Sequence, residues 1–154
     1  MRPAELRDLD DLVQLRLESG RVHAVLDPSV YRVPDSKAVR EHFDARLRAD
    51  DTDQVLLVAD VDGRVLGLAE VSLDPPPPAH QILLPAPSAH LHVVVAARAR
   101  GQGLGRRLEL AAREWAGSHG AQQLIAGIQV DNQTAINFYD RCGYRANATV
   151  RLRD

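Results

Sequence analysis

His90 and His92 stand two residues apart in an apolar run, so on an extended chain both side chains project from one face. Imidazoles with an unperturbed pKa of about 6.5 can take and return a proton near neutrality. The same spacing suits a metal, but no third ligand lies at a telling distance in the chain, and no metal is expected. A structural histidine pair on a sheet face is the plainer alternative. Glu70 is a second candidate base. It shares one strand face with Leu66, Leu68 and Ser72, and burial among such neighbours would raise its pKa; a solvent-facing edge position is its plainer reading.

A different chemistry is written into Ala99-Arg-Gly-Gln-Gly-Leu-Gly-Arg-Arg-Leu108. An apolar run, Leu91 to Ala97, leads into it and a helical pattern follows. Strand, glycine turn and helix form an anion-binding layout, because a helix start exposes unpaired N–H groups and the positive end of the macrodipole. Gly101, Gly103 and Gly105 leave no side chain in the way of an incoming anion. Arg98, Arg100, Arg106 and Arg107 crowd the same turn. Cations at a helix N-terminus normally cost roughly 0.3–1 kcal/mol each, so their presence makes sense if a polyanion sits between them and the dipole. A P-loop is excluded, since Lys37 is the chain's only lysine. A dinucleotide fingerprint is excluded by spacing and position: the glycines read G-x-G-x-G and fall two thirds of the way along the chain.

The elements that must hold these residues follow from periodicity and breakers. Residues 1–5 suggest a short edge strand. Asp8 is placed to cap a helix over 9–19 whose buried stripe is Leu9, Leu12, Val13 and Leu17. Residues 20–35 read as a loop or broken helix. Ser36 is placed to cap a helix to Arg48 with Val39, Phe43 and Leu47 on one face. Strands are expected over 54–60 and 65–73, joined at Asp62-Gly63. Residues 74–88, with Pro75-Pro-Pro-Pro78, Pro85 and Pro87, cannot form a central strand or helix. Ile82, Leu83 and Leu84 make this stretch too apolar for a free linker, so it reads as a stiff connection against the body, either over the site or purely structural. Further strands are expected over 89–95, 123–130 and 144–152. Helices are expected over 103–118, with Leu104, Leu108, Ala111 and Trp115 inward, and over 132–142. The order β-α-α-β-β-β-α-β-α-β makes one α/β domain over 1–154 with a mixed sheet.

A chain of 154 residues with 45% hydrophobic and 26% charged residues reads as an ordinary globular domain. A net charge of −2 gives no overall pull towards nucleic acid or an anionic membrane. The basic cluster is local and suits a small anionic ligand. Cys142 is the only cysteine; a disulfide within the chain is excluded, and a cytoplasmic location is expected. No secretory leader or membrane span is expected.

The pattern Arg100-x-x-Gly103-x-Gly105 resembles the acyl-CoA-binding motif of the GCN5-related N-acetyltransferases, the GNAT family. Asn132-x-x-Ala135-x-x-x-Tyr139-x-x-x-Gly143-Tyr144 is similar to that family's second signature. With Val95 and Leu66-Gly67-Leu68-Ala69, the likeness covers about residues 54–145. It implies a mixed, mostly antiparallel central sheet of six to seven strands flanked by about four helices. It also implies acetyl-CoA as co-substrate, held by Arg100, Gly101, Gln102, Gly103, Leu104, Gly105 and Arg106. The backbone of Val93, Val94 and Val95 would pair with the pantetheine arm as an added strand would. Asn132 would reach the arm from the last helix; a plain N-cap is the alternative. Tyr139 would protonate the leaving thiolate. The first 50 residues would form the acceptor wall.

Acetylation of an alkylamine of pKa about 10.4 requires removal of a proton at a cost of about 4–5 kcal/mol at pH 7. His90, His92 and Glu70 are the candidates for that task. The His-x-His pair resembles the arylalkylamine branch of the family, whereas an aromatic content of 4% offers little for an aromatic-lined pocket. Cys142 reads as core, since direct transfer needs no acyl-enzyme. The resulting expectation is transfer of acetyl to a small-molecule primary amine. Peptide or protein amines and a non-catalytic acyl-CoA sensor are the alternatives. Homodimerisation is left open, as many members are dimers.

Overall fold

A computed structural model describes residues 1–82 and 86–147. Its elements are β1 (Arg2–Pro3), α1 (Leu9–Leu26), α2 (Ser36–Arg48), β2 (Gln54–Val61), β3 (Arg64–Leu73), β4 (Ser88–Val95), α3 (Leu104–Ser118), β5 (Gln123–Ile125) and α4 (Gln133–Arg141). Short 3-10 turns at Leu6–Asp8 and Ala97–Ala99 lead into α1 and towards α3. Among the described residues the sheet has five strands in the order β1-β2-β3-β4-β5. The pairs β1–β2, β2–β3 and β3–β4 are antiparallel, and β4–β5 is parallel. The mixed α/β sheet and four helices are as expected; the strand count of six to seven is not reached. The strand expected over 144–152 has no regular structure in residues 144–147, and 148–152 lie outside the described residues.

Strand alternation assigns the layers. On β3, Gly67 faces α3, where a Cβ would lie 2.8 Å from Leu108 Cδ1. Glu70, of opposite parity, turns to the other face and pairs with Arg16 of α1. The sheet is therefore covered on both sides, which explains why Leu68, Ala69 and Val71 are all buried. The α3 stripe that meets the sheet is Leu104, Leu108, Ala112 and Ala116; Ala111 and Trp115 sit at its margin, half-buried. The β2–β3 hairpin turns at Asp62 (φ 52°) and Gly63 (φ 79°), as the Asp-Gly signal predicts.

Three local expectations change. Helix α1 runs to Leu26 rather than stopping at residue 19. Gly20 is not a stop: a Cβ there would meet Pro34 Cδ at 2.7 Å, so glycine lets the 33–34 segment lie on the helix. Asp35, not Ser36, caps α2, accepting from the Ala38 N–H at 2.9 Å. Asp8 occupies the N-cap of α1 but makes no cap bond. Its carboxylate instead takes both arms of Arg2, at 2.7 and 2.9 Å, and the Glu5 N–H at 2.8 Å. Arg2 also reaches Asp60 of β2 at 2.8 Å, which ties β1 to β2 and to the start of α1.

The hydrogen bonds from Arg2 hold the Asp8 carboxyl below the ordinary range, against the push of burial. A carboxyl lowered in this way stabilises the fold above its unfolded pKa of about 3.9, and that contribution fades as pH falls through the native value. Asp8→Asn is therefore expected to cost about 2 kcal/mol at neutral pH, discounted from the fully buried case because Arg2 is partly exposed. Urea titrations at neutral pH and at about pH 3 check this: the gap between variant and wild type should narrow in acid.

Candidate active site

The glycine turn makes the floor of a groove of about 630 Å³. Gly101 (φ 76°) and Gly103 (φ 78°) hold left-handed backbone, and a Cβ at either would meet nothing of the protein within 4 Å. Gly103 is the N-cap of α3, which starts without a side-chain cap; the first intrahelical bond runs from the Arg107 N–H to the Gly103 carbonyl. The N–H groups of Leu104, Gly105 and Arg106 are thereby left facing the groove. Arg100 and Arg106 line it, joined by Arg141 from α4. Arg98 and Arg107 point elsewhere and are exposed. Gln102 is off the wall, its amide donating to the Arg98 carbonyl at 3.4 Å. Gly105 is small for another reason: a Cβ there would sit 3.1 Å from the Phe138 ring, so it serves the packing of α3 on α4.

The sheet opens beside this turn. β5 pairs with β4 only over Ser88–His90, so among the described residues β4 from Leu91 onward has no strand on that side. The reason is the brevity of β5, which ends at Ile125 rather than continuing to Val130. The Ala96 N–H donates to the Leu66 carbonyl. By alternation the N–H groups of Val93 and Val95 point the other way, into the gap, while that of Val94 points to β3. Tyr139 of α4, 6% exposed, closes the gap from the far side. Burial pushes the pKa of its phenol up to about 12. Asn132 caps α4, its Oδ1 accepting from the Ala135 N–H at 3.1 Å, and it also lines the groove. The plain capping role is thus present.

A second cavity, of about 360 Å³, lies where β3 and β4 face α1 and α2. Glu70, His90 and His92 all line it. Glu70 and His92 are cross-strand partners, and His92 Nδ1 lies 3.2 Å from Glu70 Oε1. His90 Nδ1 lies 2.6 Å from Asp74 Oδ1, while Ser88 Oγ donates to Asp74 Oδ2 at 2.7 Å. An ionised carboxylate only accepts, so each imidazole donates from Nδ1; in the neutral ring the lone pair is then on Nε2. Arg16 pairs with Glu70 and lies 5.5 Å above the Phe43 ring, which fixes its direction.

The expectation of a raised Glu70 pKa is corrected. Burial pushes the carboxyl up, but the hydrogen bond from His92 and the charges of Arg16, His92 and Arg46 outweigh it and hold Glu70 below the ordinary range. Glu70 stays ionised and orients its neighbours; the lone pairs available for proton transfer belong to the histidines. Among the described residues no group of three or more His, Cys, Asp or Glu side chains is placed to hold a metal. Cys142 sits half-buried at the end of α4, and burial raises its thiol pKa. Ile82 is fully exposed and does not pack on the body; Leu83, Leu84 and Pro85 lie outside the described residues.

Sequence reasoning missed the α1 wall of the groove, formed by Ser19, Val22, His23 and Leu26. It also missed Glu18, whose carboxylate accepts from the Ala97 N–H at 2.6 Å and anchors the turn before α3. Arg16 and Arg46 gave no signal, because each stands alone in a helix far from β3 in the chain. Glu109 carries a buried carboxylate in α3, 3.4 Å from the Tyr144 hydroxyl.

The sheet thus parts beside an open helix start, in an α/β domain at the place where the sequence motifs resemble those of an acyltransferase family. The family model described as "Acetyltransferase (GNAT) family" matches residues 21–144, and the chain belongs to that family. None of the curated proteins matches the sequence. Among solved structures, a mutant of the BH1408 protein of Bacillus halodurans superposes with a TM-score of 0.87 at 19% identity, covering 99% of this chain and 97% of that one. The aminoglycoside antibiotic 6'-N-acetyltransferase AAC(6')-IG of Acinetobacter haemolyticus gives 0.76 at 16% identity, covering 99% and 95%. The aminoglycoside N-acetyltransferase AAC(6')-Iy, solved in complex with CoA, gives 0.74 at 18%, covering 99% and 91%. At these identities the likeness is one of fold.

Proposed function

We propose that this protein moves an acetyl group from acetyl-CoA directly to the primary amine of a small molecule. The observation that carries this is the course of β4. One strand places His90 and His92 in one cavity and the outward N–H groups of Val93 and Val95 in the adjoining groove. The aminoglycoside N-acetyltransferases of the same fold, one of them solved with CoA, support the reading.

Acetyl-CoA supplies an acetyl group activated as a thioester. The first-turn amides of α3, with Arg100 and Arg106, hold its diphosphate. The open cradle over Gly101 and Gly103 fits such a group, since among the described residues no atom lies within 4 Å of where a Cβ would stand at either. The Val93 and Val95 amides pair with the arm and polarise the carbonyl. His92, oriented by Glu70, takes the proton of the attacking amine, with His90 alongside. Tyr139 donates a hydrogen bond to the departing sulfur. The N–C bond forms as the C–S bond breaks, and the products are an amide, a free thiol and a proton.

Thiol release from acetyl-CoA against a panel of small amines tests this. Cofactor binding without thiol release from any amine or peptide would overturn the reading in favour of a sensor. His92→Gln is expected to lower kcat/KM about tenfold; the loss is partial because His90 projects from the same face. An unchanged kcat/KM would remove His92 from the proton path.

A further inference from the structure

The cavity beside His90 and His92 also carries a charge that nothing described satisfies. Arg46 of α2 lines it, and the Arg46 Nη2 is sealed from solvent with no hydrogen-bond partner among the described residues. A buried, unmade hydrogen bond on a charged group is costly, so such a group normally has a use. The side chains lining the cavity bring two guanidiniums, Arg16 and Arg46, against one carboxylate, Glu70. Glu70 is already engaged through one oxygen by both Arg16 and His92. Asp74, just outside, is turned to His90 and Ser88. Arg46 lines the cavity as the guanidinium with no carboxylate partner among the described residues.

With two guanidiniums against one carboxylate, the side chains lining this cavity favour an anion over additional cations.

The geometry points to an acceptor that carries, besides its reactive amine, a compact oxyanion bound by Arg46: an amino carboxylate or amino phosphonate rather than a polyamine or aminoglycoside. Arginine suits the task because its planar fork binds an oxyanion through paired hydrogen bonds. A volume of about 360 Å³ matches a small acceptor of this kind. A polycation would bring more positive charge against Arg46 and Arg16. The inference rests on the acceptor site proposed above and names its substrate class.

Matched pairs of acceptors test it. γ-Aminobutyrate and ε-aminocaproate are compared with their primary amides, with aminoalkylphosphonates of the same lengths, and with spermidine and kanamycin. Thiol release is the readout. The wild type should prefer each carboxylate or phosphonate to its amide by about tenfold or more in kcat/KM, expressed mainly in KM. The ratio between the two anion types distinguishes a carboxylate site from a phosphate-type one. In Arg46→Gln the anion-to-amide ratio should fall towards one, and Arg46→Lys should restore part of it. Equal use of amide and anion, preference for spermidine or kanamycin, or an undiminished ratio in Arg46→Gln would overturn the inference while leaving acetyl transfer intact. A second arm does not need turnover. With CoA present, the ω-amino carboxylates should raise the Tm of the wild type and not that of Arg46→Gln. That result without thiol release would keep the anion site and overturn the transferase. No shift in either protein, with no selectivity in turnover, would overturn the anion site.

Discussion

Gly103→Val is expected to raise the Kd for coenzyme A by about a hundredfold or more, an effect of about 2.7 kcal/mol. The position combines two properties. Its φ of 78° is left-handed, which costs a β-branched residue roughly 1–2 kcal/mol. Its missing Cβ points into open space, so the valine methyls would meet no protein atom and would stand in the groove itself. The strain alone should lower Tm by a few degrees for a chain of this size. Gly120→Val separates the two causes. Gly120 is also left-handed (φ 86°) and open, but it lies past the other end of α3. It should lose similar stability and keep coenzyme A affinity. Calorimetric titration of both variants decides the matter: tight binding by Gly103→Val would mean that the turn does not hold the diphosphate.

Tyr139→Phe is expected to lower kcat by about tenfold to a hundredfold with little change in coenzyme A affinity. The size follows from the phenol's surroundings. Burial lifts its pKa to about 12, whereas an alkyl thiol has a pKa of about 8.5. Full proton transfer to a free thiolate would run uphill by about 5 kcal/mol at 1.36 kcal/mol per unit. The useful contribution is therefore a hydrogen bond to sulfur as its charge develops, worth about 1.5–3 kcal/mol for a charged acceptor. Pre-steady-state thiol release and calorimetry measure the two quantities separately. An unchanged kcat would place Tyr139 in the core alone, packed edge-on against Phe138 and Tyr144 at 4.9 and 5.0 Å.

The glycine turn was legible because its demands are local. Left-handed backbone at Gly101 and Gly103, a helix start without a cap, and arginines within a few residues all follow from neighbours in the chain. The His90–His92 pair was legible for the same reason, since strand alternation alone puts both on one face. Gly105 shows the limit of such reading. It sits in the same motif, yet the Phe138 ring decides its size, and that ring comes from a helix some thirty residues on.

The direction of the Glu70 pKa was misread because burial was visible in the pattern and its compensators were not. Arg16 lies 54 residues away in α1 and reaches Glu70 only when that helix crosses β3. The groove wall beyond Ser19 depends on a helix that runs through Gly20, and only the approach of Pro34 explains that glycine.

The amino-acid sequence by itself determined the strand–turn–helix unit, its anion preference, the hairpin at Asp62-Gly63 and the placement of two histidines on one face. These are consequences of backbone conformation and short-range periodicity. Tertiary structure alone decided that β5 stops at Ile125 and leaves β4 open, that α1 walls the groove, and that Arg16 and Arg46 converge beside Glu70. Each of those joins segments distant along the chain, and charge and packing between such segments exist only after the sheet has been covered on both faces.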